Sequence, residues 1–132
     1  MTQRPEKTLE RVVREDGRYP LEAFSFLLDG LRRAVKEVHG EKTDPDTPSH
    51  VTGAQLCHAL RREALERWGP LARTVLKRWN IHSTMDFGQM VYLLVNNGLM
   101  HKTEEDSLED FRDVYDFDSA FPSAFSFEAE KE

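Results

Sequence analysis

Cys57 and His58 stand side by side in this chain, and a thiol beside an imidazole is a pairing from which a nucleophile can be built. Four more histidines, His39, His50, His82 and His101, and the tripeptide Asp86-Phe87-Gly88 complete the residues whose types could do chemistry. None of these sets has the spacing its chemistry requires. A zinc site needs converging ligands, as in paired CxxC units or HExxH on one helical face, and the histidines show no such repeat. Successive residues on a helix diverge by about 100°, so Cys57 and His58 cannot both point inward. Asp-Phe-Gly holds magnesium in protein kinases only together with a glycine-rich phosphate loop, a lysine on a strand and an HRD-type catalytic loop. None of these occurs in the 132 residues. Here Asp86 reads as a helix start and Phe87 as a core residue. No catalytic residue, metal ligand or cofactor site is expected, and the chain is read as not an enzyme.

Two charged sets remain. Arg61, Arg62, Arg73, Lys77 and Arg78, with Arg67 among them, cluster on what would be two central helices. They form a candidate phosphate-binding patch, a solvated face, or a dock for the chain's own acids. The second set is the C-terminal end. Thr103 to Glu132 holds eleven acidic and two basic side chains, whereas residues 1–102 hold thirteen acidic and sixteen basic ones. A body near +3 therefore carries an end near −9, within a net charge of −6 that opposes polyanion binding. The same end contains Phe111, Tyr115, Phe117, Phe121, Phe125 and Phe127. An acidic segment with spaced aromatic residues can fold into a partner's groove, so Phe125, Phe127 and Glu128 are candidate partner-binding residues. The residues before Pro122 are expected to fold back onto the chain's own core, and residues 122–132 to form a disordered acidic tail.

The elements that must position these groups follow from periodicity and capping. Residues 9–15 read as a short helix closed by Gly17. Leu21, Phe24, Leu28, Leu31, Val35 and Val38 recur at steps of three and four, so 20–39 reads as a helix with one apolar face, widened by Phe26 and Leu27. Thr52 and Gln55 have capping-box spacing and open a helix over 52–68, with Leu56, Cys57, Leu60, Ala64 and Trp68 inward. Pro70 opens a shorter helix over 70–79, with Leu71, Val75, Leu76 and Trp79 inward and Asn80 as its stop. Ser83 and Asp86 cap a helix over 84–97, whose core face is Phe87, Met90, Val91, Leu94 and Val95. Val114-Tyr115-Asp116-Phe117 alternates as a brief strand would, so a short β segment is expected near 112–117.

The fold expected is therefore mainly α, a single-domain helical bundle over 1–121. A capped helix, a short helix and a third helix ending in Asn-Gly-Leu give its C-terminal half a winged-helix-like order. Residues 83–100 contain no arginine or lysine, so that third helix is ill suited to reading DNA. The single cysteine fits a reducing compartment, no apolar run approaches a membrane span, and the N-terminus lacks a signal-peptide pattern. A cytoplasmic protein without membrane contact is expected.

From His50 to about Phe121 the chain resembles a family of small bacterial proteins of unknown function, of verrucomicrobial and planctomycete type. The residues that carry the resemblance are His50-Val51-Thr52-Gly53, Trp68-Gly69-Pro70-Leu71-Ala72, Val75-Leu76 with Trp79-Asn80-Ile81, and Thr84-Met85-Asp86-Phe87-Gly88. Val91 to Val95, Gly98-Leu99, Lys102 to Asp106, Glu109-Asp110-Phe111 and Tyr115-Asp116-Phe117 continue it. Asp16-Gly17-Arg18-Tyr19 and Ala23-Phe24 look like the same family's opening. Trp68 and Asn80 stand where that pattern has a phenylalanine and a glycine. The resemblance implies that the acidic segment through Phe117 belongs to the domain; it implies no activity. The function expected is a non-catalytic protein-protein interaction or adaptor module with a protein partner. The alternative is a nucleic-acid-associated regulator using the basic patch.

Overall fold

The structure, a computed structural model, describes residues 7–40 and 50–122. It is mainly helical, as the periodicity predicts. Thr8 Oγ1 accepts from the Arg11 N–H to open α1 (Leu9–Asp16), and Gly17, at φ +79°, closes it in the left-handed region. Helix α2 runs from Leu21 to His39. The Thr52–Gln55 capping box opens α3 (Gly53–Trp68). A 3-10 turn over Gly69–Leu71 leads into α4 (Ala72–Arg78), after which Asn80 takes φ +67°. The Ser83–Asp86 capping box opens α5 (Thr84–Asn96), and the Leu99 N–H donates back to the Leu94 carbonyl at 2.8 Å across its end. A C-terminal arm follows: a 3-10 turn over Leu108–Phe111, an irregular stretch, and a single turn, α6 (Phe117–Ala120).

Antiparallel packing of α2 on α3 forms the first half of the core, and its centre differs from the stripe of large residues seen in the sequence. Ala23, Phe24, Phe26, Leu27, Gly30 and Ala34 are the buried residues of α2. Leu28, Leu31 and Val35 lie at the edge, and Leu21 and Val38 are exposed. The cause is close approach. An ideal Cβ at Gly30 would stand 2.2 Å from Leu60 Cδ2, so small residues hold the centre and large ones flank it. Leu71, expected inward, is 57% exposed because it sits in the 3-10 turn, and Ala72 takes the fully buried position. Trp68 and Trp79 meet edge to face at 5.4 Å over the buried Phe26 ring.

The second half of the core is the seat of the arm. Phe111 packs between α3 and α5, where the chain offers glycine on both sides: a Cβ at Gly53 would stand 3.0 Å from its ring, and one at Gly88 2.7 Å. Thr84, the one buried polar residue of the described core, donates to the Phe111 carbonyl at 2.6 Å and accepts from the Val114 N–H at 3.1 Å. Beyond it Phe117 and Phe121 are buried and meet edge to face at 5.0 Å, and Tyr115 stacks on Phe117 at 6.0 Å. The aromatic residues before Pro122 thus fold back as expected.

The strand expected near 112–117 does not form. Asp113 takes φ +49°, the Val114 N–H goes to a side chain rather than a neighbouring strand, and Phe117 begins a helical turn. Its alternation reflects Tyr115 and Phe117 entering one aromatic cluster with no strand to pair with. No strand occurs among the described residues, so the three-helix order stands without a wing.

Glycine in a helix interior costs up to about 1 kcal/mol relative to alanine, so propensity alone would make Gly30→Ala and Gly88→Ala stabilising. The contacts reverse the sign. Each methyl would overpack a buried neighbour, and such insertions cost about 1–3 kcal/mol. Both variants are expected to unfold at lower urea concentration than the parent when followed by circular dichroism. A midpoint equal to or above the parent's would show that Leu60 and Phe111 yield freely.

Candidate functional site

The basic patch splits into three fates. Arg62 pairs with Glu37 on α2, part of a charged ladder in which Arg33 bridges Glu37, Glu63 and Glu66, and Arg67 joins Asp29 and Glu63. Opposite charges across the α2–α3 seam hold these carboxyls low: hydrogen bonding to Arg67 lowers Asp29, and hydrogen bonding to Arg62, then Arg33, lowers Glu37. Such exposed pairs contribute about 0–1 kcal/mol each. They fix register more than they stabilise. Arg61 and Arg73 instead hold the arm. Arg61 Nε donates to the Ala120 carbonyl at 3.1 Å, at the end of α6. Arg73 pairs with Asp118 while its guanidinium lies 5.6 Å from the Phe117 ring centre. Lys77 and Arg78 are exposed and make no ion pair among the described residues. Two of the five patch residues, Arg61 and Arg73, thus dock the chain's own acidic segment.

Cys57 is fully buried, and burial pushes its thiol up to about 12. Its carbonyl accepts from the Tyr115 hydroxyl at 2.7 Å, and burial raises that phenol as well. His58 is exposed, with its ring 5.6 Å from the Tyr115 ring. Thiol and imidazole therefore serve packing, each in its own direction. Asp86 Oδ1 accepts from the Tyr19 hydroxyl at 2.6 Å, and Oδ2 accepts from the N–H groups of His82 and Ser83. Phe87 is fully buried, and Gly88 makes room for Phe111. Every member of the Asp-Phe-Gly tripeptide has a structural partner. No group of three or more His, Cys, Asp or Glu that could hold a metal occurs among the described residues, and no helix among them is long and apolar enough to cross a membrane. Phe125, Phe127 and Glu128 lie outside the described residues.

The principal opening is one the sequence reading missed. A groove of about 540 Å³ runs between α2, the start of α3, α5 and the segment before the Leu108–Phe111 turn. Leu31, Val35, Val51, Leu56, Val91 and Met100 give it an apolar surface. Asp106 and Asp110 line one side. Asp106 is fixed by the Thr103 N–H at 2.8 Å and by His50 Nε2 at 3.1 Å. Asp110 Oδ2 accepts from the Ser107 N–H at 3.1 Å. Tyr92 also lines the groove; its hydroxyl oxygen is shut off from solvent and has no hydrogen-bond partner among the described residues. Partial burial and the nearby carboxylates of Asp106 and Asp110 raise its phenol. One signal did lie in the sequence. Helix α5 is apolar nearly all round, which calls for cover on more than one side.

A second opening, about 320 Å³, is lined by Arg73, His82, Asp113, Tyr115, Asp116 and Asp118 among others. Its single arginine is already paired with Asp118, and the surrounding acids disfavour an anion.

Two outcomes follow from these contacts. With its thiol pushed up to about 12 and sealed in the core, Cys57 is expected to resist a thiol-reactive dye in mildly alkaline buffer and to take up one equivalent on denaturation. Rapid labelling of the native chain would contradict that burial. Thr84→Val keeps the shape but strands the Phe111 carbonyl and the Val114 N–H, so a loss of about 1–3 kcal/mol is expected in urea titrations. An unchanged midpoint would mean that the arm is not anchored through this hydroxyl.

Comparison of the chain with protein-family models, with curated proteins and with solved structures finds no match.

Proposed function

We propose that this chain is a non-catalytic protein-protein interaction module, an adaptor that works in the cytoplasm. The observation that carries the proposal is the seating of the arm. A short segment from Leu108 to Phe121, two single helical turns joined by an irregular stretch, docks by aromatic anchors, one carbonyl capped by Arg61 and one carboxylate paired with Arg73. Anchoring by a few large side chains is a mode by which domains take up short segments of other chains, used here within one chain. The groups with reactive potential have structural partners: Cys57 is held as a thiol by burial, and Asp86 caps a helix. The resemblance to bacterial proteins of unknown function assigns no reaction and is compatible with an adaptor.

The alternative, a nucleic-acid-associated regulator, loses support from the internal pairing of Arg61, Arg62 and Arg73. Lys77 and Arg78 alone give too few phosphate contacts for the steep salt-dependent affinity such binding requires.

An affinity pull-down with mass spectrometry on nuclease-treated extract tests the proposal, using the full chain and a chain stopped after Phe121. A reproducible protein partner is expected for the full chain. Its loss on truncation would place the contact in residues 122–132, where Phe125, Phe127 and Glu128 stand, and its retention would place the contact on the helical body. Recovery of no specific protein, or of nucleic acid complexes that vanish with nuclease, would overturn it.

A further inference from the structure

We infer that the groove between α2 and α5 is the docking site for a partner peptide segment that combines large apolar side chains with a lysine or arginine. This inference rests on the interaction-module proposal and names the partner's chemistry. The groove volume of about 540 Å³ lies within the range of roughly 300–1,000 Å³ typical of sites that enclose a ligand. Its aliphatic lining, from Leu31, Val35, Val51, Leu56, Val91 and Met100, gains free energy by excluding water in proportion to the apolar area covered.

Charge selects the occupant. Residues 103–113 hold six acidic side chains against the single Arg112, and that arginine is already paired with Glu109. Within the lining, Asp106 is held by His50 and the Thr103 N–H. Asp110 accepts at Oδ2 only, so Oδ1 has no partner among the described residues. His101 and Lys102 also belong to the lining, and the Lys102 ammonium is directed to the Thr103 carbonyl. A cation flanking an apolar row thus meets an open carboxylate on an acidic wall, a complementarity that governs encounter and choice of partner. The chain's own end, from Ser123 to Glu132, has three glutamates and one lysine, and like charge disfavours it as the occupant.

A phage-displayed library of random dodecapeptides, selected on the full chain and counter-selected on Val35→Glu, reads the site directly. Val35 is only partly buried and Asp110→Asn keeps an acceptor for the Ser107 N–H, so both variants are expected to fold, which circular dichroism checks. Enriched peptides are expected to pair large apolar residues with lysine or arginine and to bind each variant about tenfold more weakly. Acidic peptides, peptides indifferent to both substitutions, or no enrichment would overturn the inference. So would an apolar dye held in the groove that no selected peptide displaces, which would assign the site to a small molecule. Repeating the pull-down with both variants separates the two proposals. A protein partner kept by both leaves the adaptor standing without this groove; no partner for any chain removes the adaptor, and the peptide data then stand alone.

Discussion

The ring of Phe111, seated between two helices at positions where each has no side chain, is the contact on which the second half of the molecule depends. Gly53 opens α3 and Gly88 lies in the first turns of α5, and both leave room for the same ring. Burial of a phenylalanine contributes about 1.5–3 kcal/mol, and the two hydrogen bonds through Thr84 fix the chain on either side of it. With that point pinned, Tyr115, Phe117 and Phe121 follow into one aromatic cluster. The preceding residues, Asp106 and Asp110, are held as one side of the groove. The arm has few backbone hydrogen bonds of its own, so its position derives from these side-chain anchors.

Charge is distributed to match. Cations on α3 and α4 are drawn inward in two directions, Arg62 and Arg67 to α2 and Arg61 and Arg73 to the arm. Exposed pairs of this kind stabilise little, yet they leave the basic cluster with few free members. Among the described residues the acids of 103–113 pair only with His50 and Arg112. With Arg61, Arg62, Arg67 and Arg73 matched internally and Asp106 and Asp110 lining an apolar groove, the charge pattern fits the proposed basic, apolar partner more than a phosphate backbone.

Much of this was legible in the chain because it is local. Capping at Thr52–Gln55 and Ser83–Asp86, the stops at Gly17 and Asn80, and the burial of Cys57 all follow from spacing and from backbone preferences that act within one turn. The return of the C-terminal aromatic residues to the core was also readable, since four large rings before Pro122 need cover. Side-chain size misled where helices approach closely. On α2 Leu28, Leu31 and Val35 sit at the rim while Gly30 and Ala34 are buried with Phe24, Phe26 and Leu27, because separation between helices is set by the smallest residues at the crossing. Alternation misled at 112–117 for a related reason: a period of two requires a partner strand, and none occurs among the described residues.

Sequence by itself determined the helices, their caps, the class of fold and the opposition between a near-neutral body and an acidic end. Each depends on residues within a few positions of one another. Tertiary structure alone decided that Arg61 and Arg73 grip the arm, that Gly53 and Gly88 share one ring, and that His50, Tyr92, Asp106 and Asp110 border a common groove. Those residues are brought together by the crossing of α2, α3 and α5 and the return of the arm. Relative helix placement is set by volume and contact at the crossings, quantities that no periodicity along the chain encodes.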